Sequence, residues 1–277
     1  DAFLTKKVSE INGVSSYVVN KGDISNQGVE VTLNFKFIDQ GVDSQGRRGW
    51  VWRFDPQLGQ VVNQLISKAI NDKSNTLRDK VTYTDYLNGS VEIVGKPLNT
   101  FYSYRFKGLS PVDGSPIFYG TEDELKDELF ERYKNMTEEE VWMEVLAESG
   151  TRVPVIQGGL SNYIGYRQFG LSFNLAYSLG NKIRLLKLCS NNNIRPYPEC
   201  NMRREFLSRW QQPGDEAYTN IPGLVASDTV NLPWWAQNAY SGNPNKFAGS
   251  DIYAMYDLSD IRVVSGDYLK LQSVSFR

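Results

Sequence analysis

Most proton chemistry near neutral pH runs through histidine, and this sequence contains none. That removes the usual general base and the commonest metal ligand, and with them every triad or zinc site built on imidazole. Carboxylates are plentiful, 32 Asp and Glu in all, so a pair can always be nominated and nomination alone decides nothing. Glu30, Asp55 and Glu92 fall on strand-like segments. No local spacing holds two of them at the roughly 5–10 Å separation that glycoside hydrolysis needs. There is no P-loop, no G-x-G-x-x-G and no G-x-S-x-G, and the lone pair Gly158-Gly159 says nothing about phosphate. An Asp-x-Asp-x-Asp-Gly calcium loop is missing as well. The expectation is a protein that is not an enzyme, with no catalytic residue, no metal and no cofactor.

Two kinds of residue remain that could recognise or fasten something. Trp234, Trp235 and Tyr240 lie close to Asn238 and Asn243. An aromatic face can stack on the apolar face of a sugar while nearby amides bond its hydroxyls. The same rings could instead pack their loop upon itself or anchor a protein interface, where aromatics are enriched. Cys189 and Cys200 stand near each other in a stretch rich in Asn and Pro. They are either a loop-stapling disulfide of an oxidising compartment or two unpaired thiols. A net charge of -2 supplies no basic stripe, so nucleic acid is not an expected partner.

The elements that carry these residues read as strands. Leu171, Phe173, Leu175, Tyr177 and Leu179 alternate with Ser172, Asn174, Ala176 and Ser178, which specifies a strand with one apolar and one polar face. Val29, Val31, Leu33, Phe35 and Phe37 alternate in the same way with Glu30, Thr32, Asn34 and Lys36. Trp50, Trp52 and Phe54 suggest the next strand, after a turn over 39–49. Residues 158–167 read as a strand that turns tightly near Gln168–Gly170 into the Leu171 strand, and Tyr268–Phe276 is another.

In a soluble sandwich the apolar faces would meet a second sheet; in a membrane barrel they would meet lipid while the polar faces line the lumen. On the second reading Ser172, Asn174 and Ser178 are lumen-facing, and Trp50 and Trp52 suit an aromatic girdle. Spacing favours the barrel. Short turns alternate with very long polar excursions, above all 181–267, which is abnormal for a compact soluble domain and ordinary for extracellular barrel loops. Aromatics at 13% agree with that. One excursion, 121–149, is helical: Thr121 with Glu124 and Thr137 with Glu140 are capping-box pairs, followed by apolar residues at helical spacing.

Five phrases, in order, resemble the C-terminal half of the SusC/RagA family of TonB-linked outer-membrane proteins. They are Asn20-Lys-Gly-Asp-Ile-Ser-Asn26-Gln-Gly28-Val-Glu30; Gly95-Lys-Pro-Leu-Asn-Thr-Phe-Tyr-Ser-Tyr104 with Gly108-Leu-Ser-Pro-Val-Asp-Gly114-Ser-Pro116; Pro154-Val-Ile-Gln-Gly158-Gly-Leu-Ser-Asn162 with Tyr166-Arg-Gln-Phe169-Gly-Leu-Ser-Phe173; Arg209-Trp-Gln-Gln-Pro213-Gly-Asp-Glu216; and Val264-Ser-Gly-Asp-Tyr268-Leu-Lys-Leu271. Each is weak alone, and together they cover nearly the whole chain. The sequence departs from the family pattern at Ala217, where Thr is usual, at Ser265-Gly266-Asp267, where Asp-Gly-Ser is usual, and at Lys270, where Arg is usual.

The resemblance implies an all-β fold: part of a large antiparallel transmembrane β-barrel, of about 22 strands when complete. Residues 1–277 would be a fragment of that single barrel domain, without the plug domain and the final strands, so its edges would pair with the remainder of the same transporter. It implies residence in the outer membrane against lipid, import of glycans or oligopeptides, a SusD-like surface lipoprotein as partner, and energy from TonB through an N-terminal part not in this chain. Ligand contacts would come from the lumen face and from Trp234, Trp235, Asn238, Tyr240 and Asn243. The competing expectation is a secreted carbohydrate-binding β-sandwich module, using the same aromatic loops.

Overall fold

The computed structural model describes residues 2–7, 16–68, 81–91, 93–120, 123–188, 203–224, 232–236, 247 and 251–277. Alternating apolar and polar residues produce one large antiparallel sheet. Its strands are β1 (Ala2–Lys7), β2 (Ser16–Thr32), β3 (Phe35–Asp39), β4 (Trp50–Lys68), β9 (Ile156–Tyr166), β10 (Phe169–Leu179) and β13 (Tyr268–Phe276). The order is β1-β2-β4-β9-β10-β13, with β3 also pairing β4, and the sheet is open rather than closed.

Register makes the two faces continuous. Trp52 stands opposite Ile164, which stands opposite Leu171, which stands opposite Phe276. One step along, Arg53 stands opposite Tyr163, then Ser172, then Ser275. The first row is apolar and the second polar, so the side-chain period of two is kept across four strands.

The apolar face carries exposed Val29, Trp50, Trp52, Leu58, Phe169, Leu269, Leu271, Val274 and Phe276. Among the described residues no second sheet covers it; the other sheets are two-stranded pairs. From Phe169 to Leu179 the apolar row of β10 measures roughly 34 Å along the strand, which at a tilt of about 40° is about 26 Å of height. A membrane barrel needs an apolar band of about 25 Å.

One end of the sheet has short turns. Arg167 and Gln168 alone join β9 to β10, with Arg167 in the left-handed region at φ 53°. The other end carries a cap made from α1 (Tyr83–Asn88), β5 (Thr100–Tyr104), β6 (Phe106–Leu109), β7 (Pro116–Phe118), α2 (Asp123–Asn135), α3 (Glu138–Val145), β8 (Leu146–Thr151), β11 (Lys182–Arg184), α4 (Ile252–Asp257) and β12 (Val263–Ser265). Its core is largely aromatic: Tyr86, Tyr102, Tyr104, Phe118, Trp142, Trp234, Trp235, Phe247 and Tyr256 are all buried. The cap grips β4 where that strand overshoots β9. The Leu65 N–H donates to the Lys96 carbonyl at 3.2 Å, the Gly95 N–H to the Leu65 carbonyl at 2.9 Å, and the Leu98 N–H to Asn63 Oδ1 at 3.0 Å.

Two local expectations change. The run Val29–Phe37 is not one strand: β2 ends at Thr32 and β3 begins at Phe35. Pro56 is the cause. Its carbonyl accepts from the Leu33 N–H at 3.0 Å, but it has no N–H to return, so the ladder breaks at Leu33–Asn34. The helical insertion ends at Val145, and Leu146 turns extended at ψ 144° to start β8 against β5. The second capping box forms as read: Glu140 N–H donates to Thr137 Oγ1 at 3.3 Å, and Thr137 N–H to Glu140 Oε2 at 2.7 Å. Thr121 lies outside the described residues.

Candidate functional site

The polar face of the sheet gathers hydroxyls and amides along β10 and charged side chains on the neighbouring strands. Ser172, Asn174 and Ser178 all point to it from β10, as their alternation requires. Asn174 stands between Ser161 and Ser273, and its Nδ2 donates to Ser273 Oγ at 3.0 Å. Ser178 stands between Gln157 and Tyr268 and is buried; its Oγ has no partner among the described residues. Neighbouring strands add Glu30, Arg53, Asp55, Gln57 and Lys270 to the same face.

Such a surface offers many exchangeable hydrogen bonds and no concentrated reactivity. Glu30 stands opposite Gly59, four positions along β4 from Asp55, which sets the backbone positions of the two about 14 Å apart. That exceeds the separation in a glycosidase pair. Glu92 lies outside the described residues.

Midway along the sheet the face is worn thin by Gly28, Gly59 and Gly159, beside Ala176, and a recess of about 600 Å³ opens there. Gly158 serves a different purpose on the opposite face. Tyr177 reaches across β9 to donate from its hydroxyl to the Gln57 carbonyl at 2.9 Å. A Cβ on Gly158 would fall 2.6 Å from that hydroxyl and 2.0 Å from that carbonyl oxygen. The Gly158-Gly159 pair, silent as a phosphate motif, thus marks where backbone and aromatic ring must pass closely.

The cap treats the other predicted residues differently. Trp234 and Trp235 are only 5% and 2% exposed. Trp234 stacks on Tyr133 at 5.6 Å and its Nε1 donates to the Gly120 carbonyl at 2.8 Å. Trp235 stacks on Tyr104 at 6.0 Å and meets Phe247 edge-on at 5.0 Å. Neither ring keeps a free face for a sugar, because the loop needs both to fill its own core. Of the two uses that the sequence leaves open for these rings, their burial agrees with packing of the loop upon itself. Asn238, Tyr240 and Asn243 lie outside the described residues, as do Cys189 and Cys200.

Sequence reasoning missed the residue that ties the long excursions together. Arg184, from β11, donates to the Leu87 carbonyl at 2.7 Å, the Tyr102 carbonyl at 2.8 Å and Ser103 Oγ at 2.8 Å, and lies over Phe101 at 5.0 Å. Burial pushes its guanidinium down to about 10, still charged at neutral pH. A second buried guanidinium, Arg262, bonds Glu205 at 2.5 Å and the Leu186 carbonyl at 2.8 Å. The only sequence signal for either is an Arg flanked by apolar residues, which does not say what it meets.

The chain matches no protein-family model, and no curated protein is similar to it in sequence. Among solved structures it resembles the RagAB peptide transporter at a TM-score of 0.59 with 14% identity, over 98% of this chain and 24% of that one. It also resembles the RagAB peptide importer in the open-open state at a TM-score of 0.58 with 14% identity, over 100% of this chain and 24% of that one. The likeness is one of fold. The chain spans about a quarter of the length of the chains it matches.

Proposed function

We propose that the chain is a wall segment, with its cap of loops, of an outer-membrane β-barrel importer of the SusC/RagA kind. The observation that carries this reading is the two-faced sheet. A single antiparallel layer exposes an apolar, aromatic-rich face of membrane height on one side and a face of hydroxyls, amides and charged groups on the other. In water that apolar face would be a liability for aggregation; against lipid it is the required surface. Open edges at β1 and β13 then pair with further strands of the same protein, since lipid does not tolerate unpaired backbone.

On this reading Ser172, Asn174 and Ser178 line the lumen, and an oligopeptide or glycan passes over them by exchanging hydrogen bonds. The cap faces outward and meets a SusD-like surface lipoprotein, while TonB acts on a part of the transporter outside this chain. The fold likeness to RagAB structures supports the transporter class, as do the five sequence phrases. The sandwich reading loses its main support, because among the described residues no sheet faces the apolar surface.

The test is extraction of the native polypeptide from outer membranes, with its mass and its companions identified. The expected result is a detergent-dependent protein several-fold heavier than 31.5 kDa that copurifies with a surface lipoprotein. A monodisperse protein of 31.5 kDa that needs no detergent would overturn the proposal.

A further inference from the structure

The short-turn end of the sheet holds a feature that import does not use. The turn between β3 and β4, together with the β9–β10 turn, encloses a cleft of about 420 Å³ lined by Gln40, Asp43, Arg47, Arg48, Tyr166 and Arg167, among others. The two turns are joined, since the Arg167 N–H donates to the Arg48 carbonyl at 3.1 Å. Arg47 is matched by Asp43, Nε to Oδ2 at 3.0 Å. Asp43 also accepts from the Gln45 and Arg47 N–H groups, which ties its carboxylate into the turn. Asp39 is the other nearby acid, at the end of β3 opposite Val51. Arg48 and Arg167 have no carboxylate at ion-pair distance among the described residues. Arg167 acts on Asp43 only from beyond ion-pair distance, so the two turns set three guanidinium groups against the carboxylates of Asp39 and Asp43 and leave an excess of one positive charge.

Position decides what they serve. The Arg167 guanidinium lies over the Tyr166 ring at 5.2 Å, and Tyr166 stacks on Trp50 at 4.6 Å. By register both rings belong to the apolar face, and Phe169 and Phe276, stacked at 6.1 Å, continue that belt. Resting on the proposed barrel, the geometry points to a binding site for the phosphate of an anionic phospholipid, phosphatidylglycerol in type, in the periplasmic leaflet. Short turns of such barrels are periplasmic, and aromatic belts lie at headgroup depth. Two guanidinium groups fit phosphate oxygens in a planar, bidentate way. The acyl chains of the same molecule would then lie on Trp50, Phe169 and the apolar rows beyond them. A free phosphate would gain only the ionic part, from exposed arginines in water.

The experiment uses the full-length transporter in mild detergent, titrated with phosphatidylglycerol or phosphatidylcholine and followed by native mass spectrometry. Wild type should hold at least one more phosphatidylglycerol than the R48Q/R167Q variant, whose apparent affinity for that lipid falls about tenfold or more. R48K/R167K keeps the charge but loses the planar fork, so its affinity should fall between those of wild type and R48Q/R167Q, which separates lost charge from lost folding, and K107Q in the cap should behave as wild type. Equal phosphatidylglycerol uptake by wild type and R48Q/R167Q would overturn the site. So would displacement of the lipid by millimolar inorganic phosphate, which would mark a free-anion site. A wild-type protein that takes up no lipid of either charge would instead sink the barrel reading, and that failure shows before any variant is compared.

Discussion

Trp52 on the sheet keeps 39% of its surface exposed and touches Phe37 in a single layer, whereas Trp142 in the cap keeps 3% and packs among Tyr83 and Tyr86. The two regions draw on the same aromatic residues and put them to opposite use. In the cap the rings leave water by packing on one another, as in any globular core. On the sheet they remain outside, in rows that span membrane height, and nothing in the chain covers them among the described residues. The difference teaches that one set of residues serves two kinds of packing. On the proposed barrel, the cap is folded against water and the sheet against hydrocarbon.

The largest test of that comparison is a pair of truncations. Trp142→Ala should destabilise the cap by about 3–5 kcal/mol, because a buried ring leaves a cavity. Trp52→Ala opens no cavity and should cost about 1 kcal/mol or less. Denaturant titration of the full-length protein, with protease sensitivity of the cap as a second probe, reads both. Equal losses would break the contrast, since they would mean that Trp52 is buried against something.

A charge placed on either face sharpens it further. Phe173→Arg puts a guanidinium near the middle of the apolar band and should cost about 2–4 kcal/mol in bilayers. Asn174→Arg, one residue along, loses the Ser273 bond and should cost about 1 kcal/mol. Refolding yield into vesicles at increasing urea would rank the two, and the reverse order would exchange the faces.

Smaller effects belong to the cap alone. Thr137→Ala removes the N-cap of α3 and should cost about 1 kcal/mol, with no change in the sheet. Glu205 supplies the smallest. The hydrogen bond from Arg262 holds its carboxyl below the ordinary value of 4.5, against a smaller opposing effect of burial. A carboxyl lowered in the folded state contributes stability above its unfolded value and loses it as pH falls through the folded one. Melting of the cap should therefore turn down below about pH 4.5, and Glu205→Gln should flatten that part of the acid limb.

Legibility in the sequence followed the range of the interaction. Strand β10 appears at Phe169–Leu179 as its alternation predicts, and the α3 cap forms from Thr137 and Glu140, because both depend on neighbours a few residues away. The break at Leu33–Asn34 was not read, although its cause, Pro56, is plainly in view; the register that sets the two opposite each other is not local. The sequence leaves both a ligand and a packing role open for Trp234 and Trp235, because their partners Tyr133, Tyr104 and Gly120 are about a hundred residues or more away in the chain. Arg184 hides for the same reason, joining Leu87 and Tyr102 across the strands that separate the two excursions. Faces and caps are written in short spacings, whereas the way two loops become one cap is written in contacts.

The most direct test of the two-solvent wall is a nitroxide scan of residues 171–178 in the full-length protein reconstituted into bilayers, with collision rates measured against oxygen and against a neutral nickel chelate. A membrane wall requires period two: labels at Leu171, Phe173, Leu175 and Tyr177 collide with oxygen, and those at Ser172, Asn174, Ala176 and Ser178 favour the water-soluble nickel chelate. Labels that all meet the nickel chelate alike, with no alternation, would contradict it.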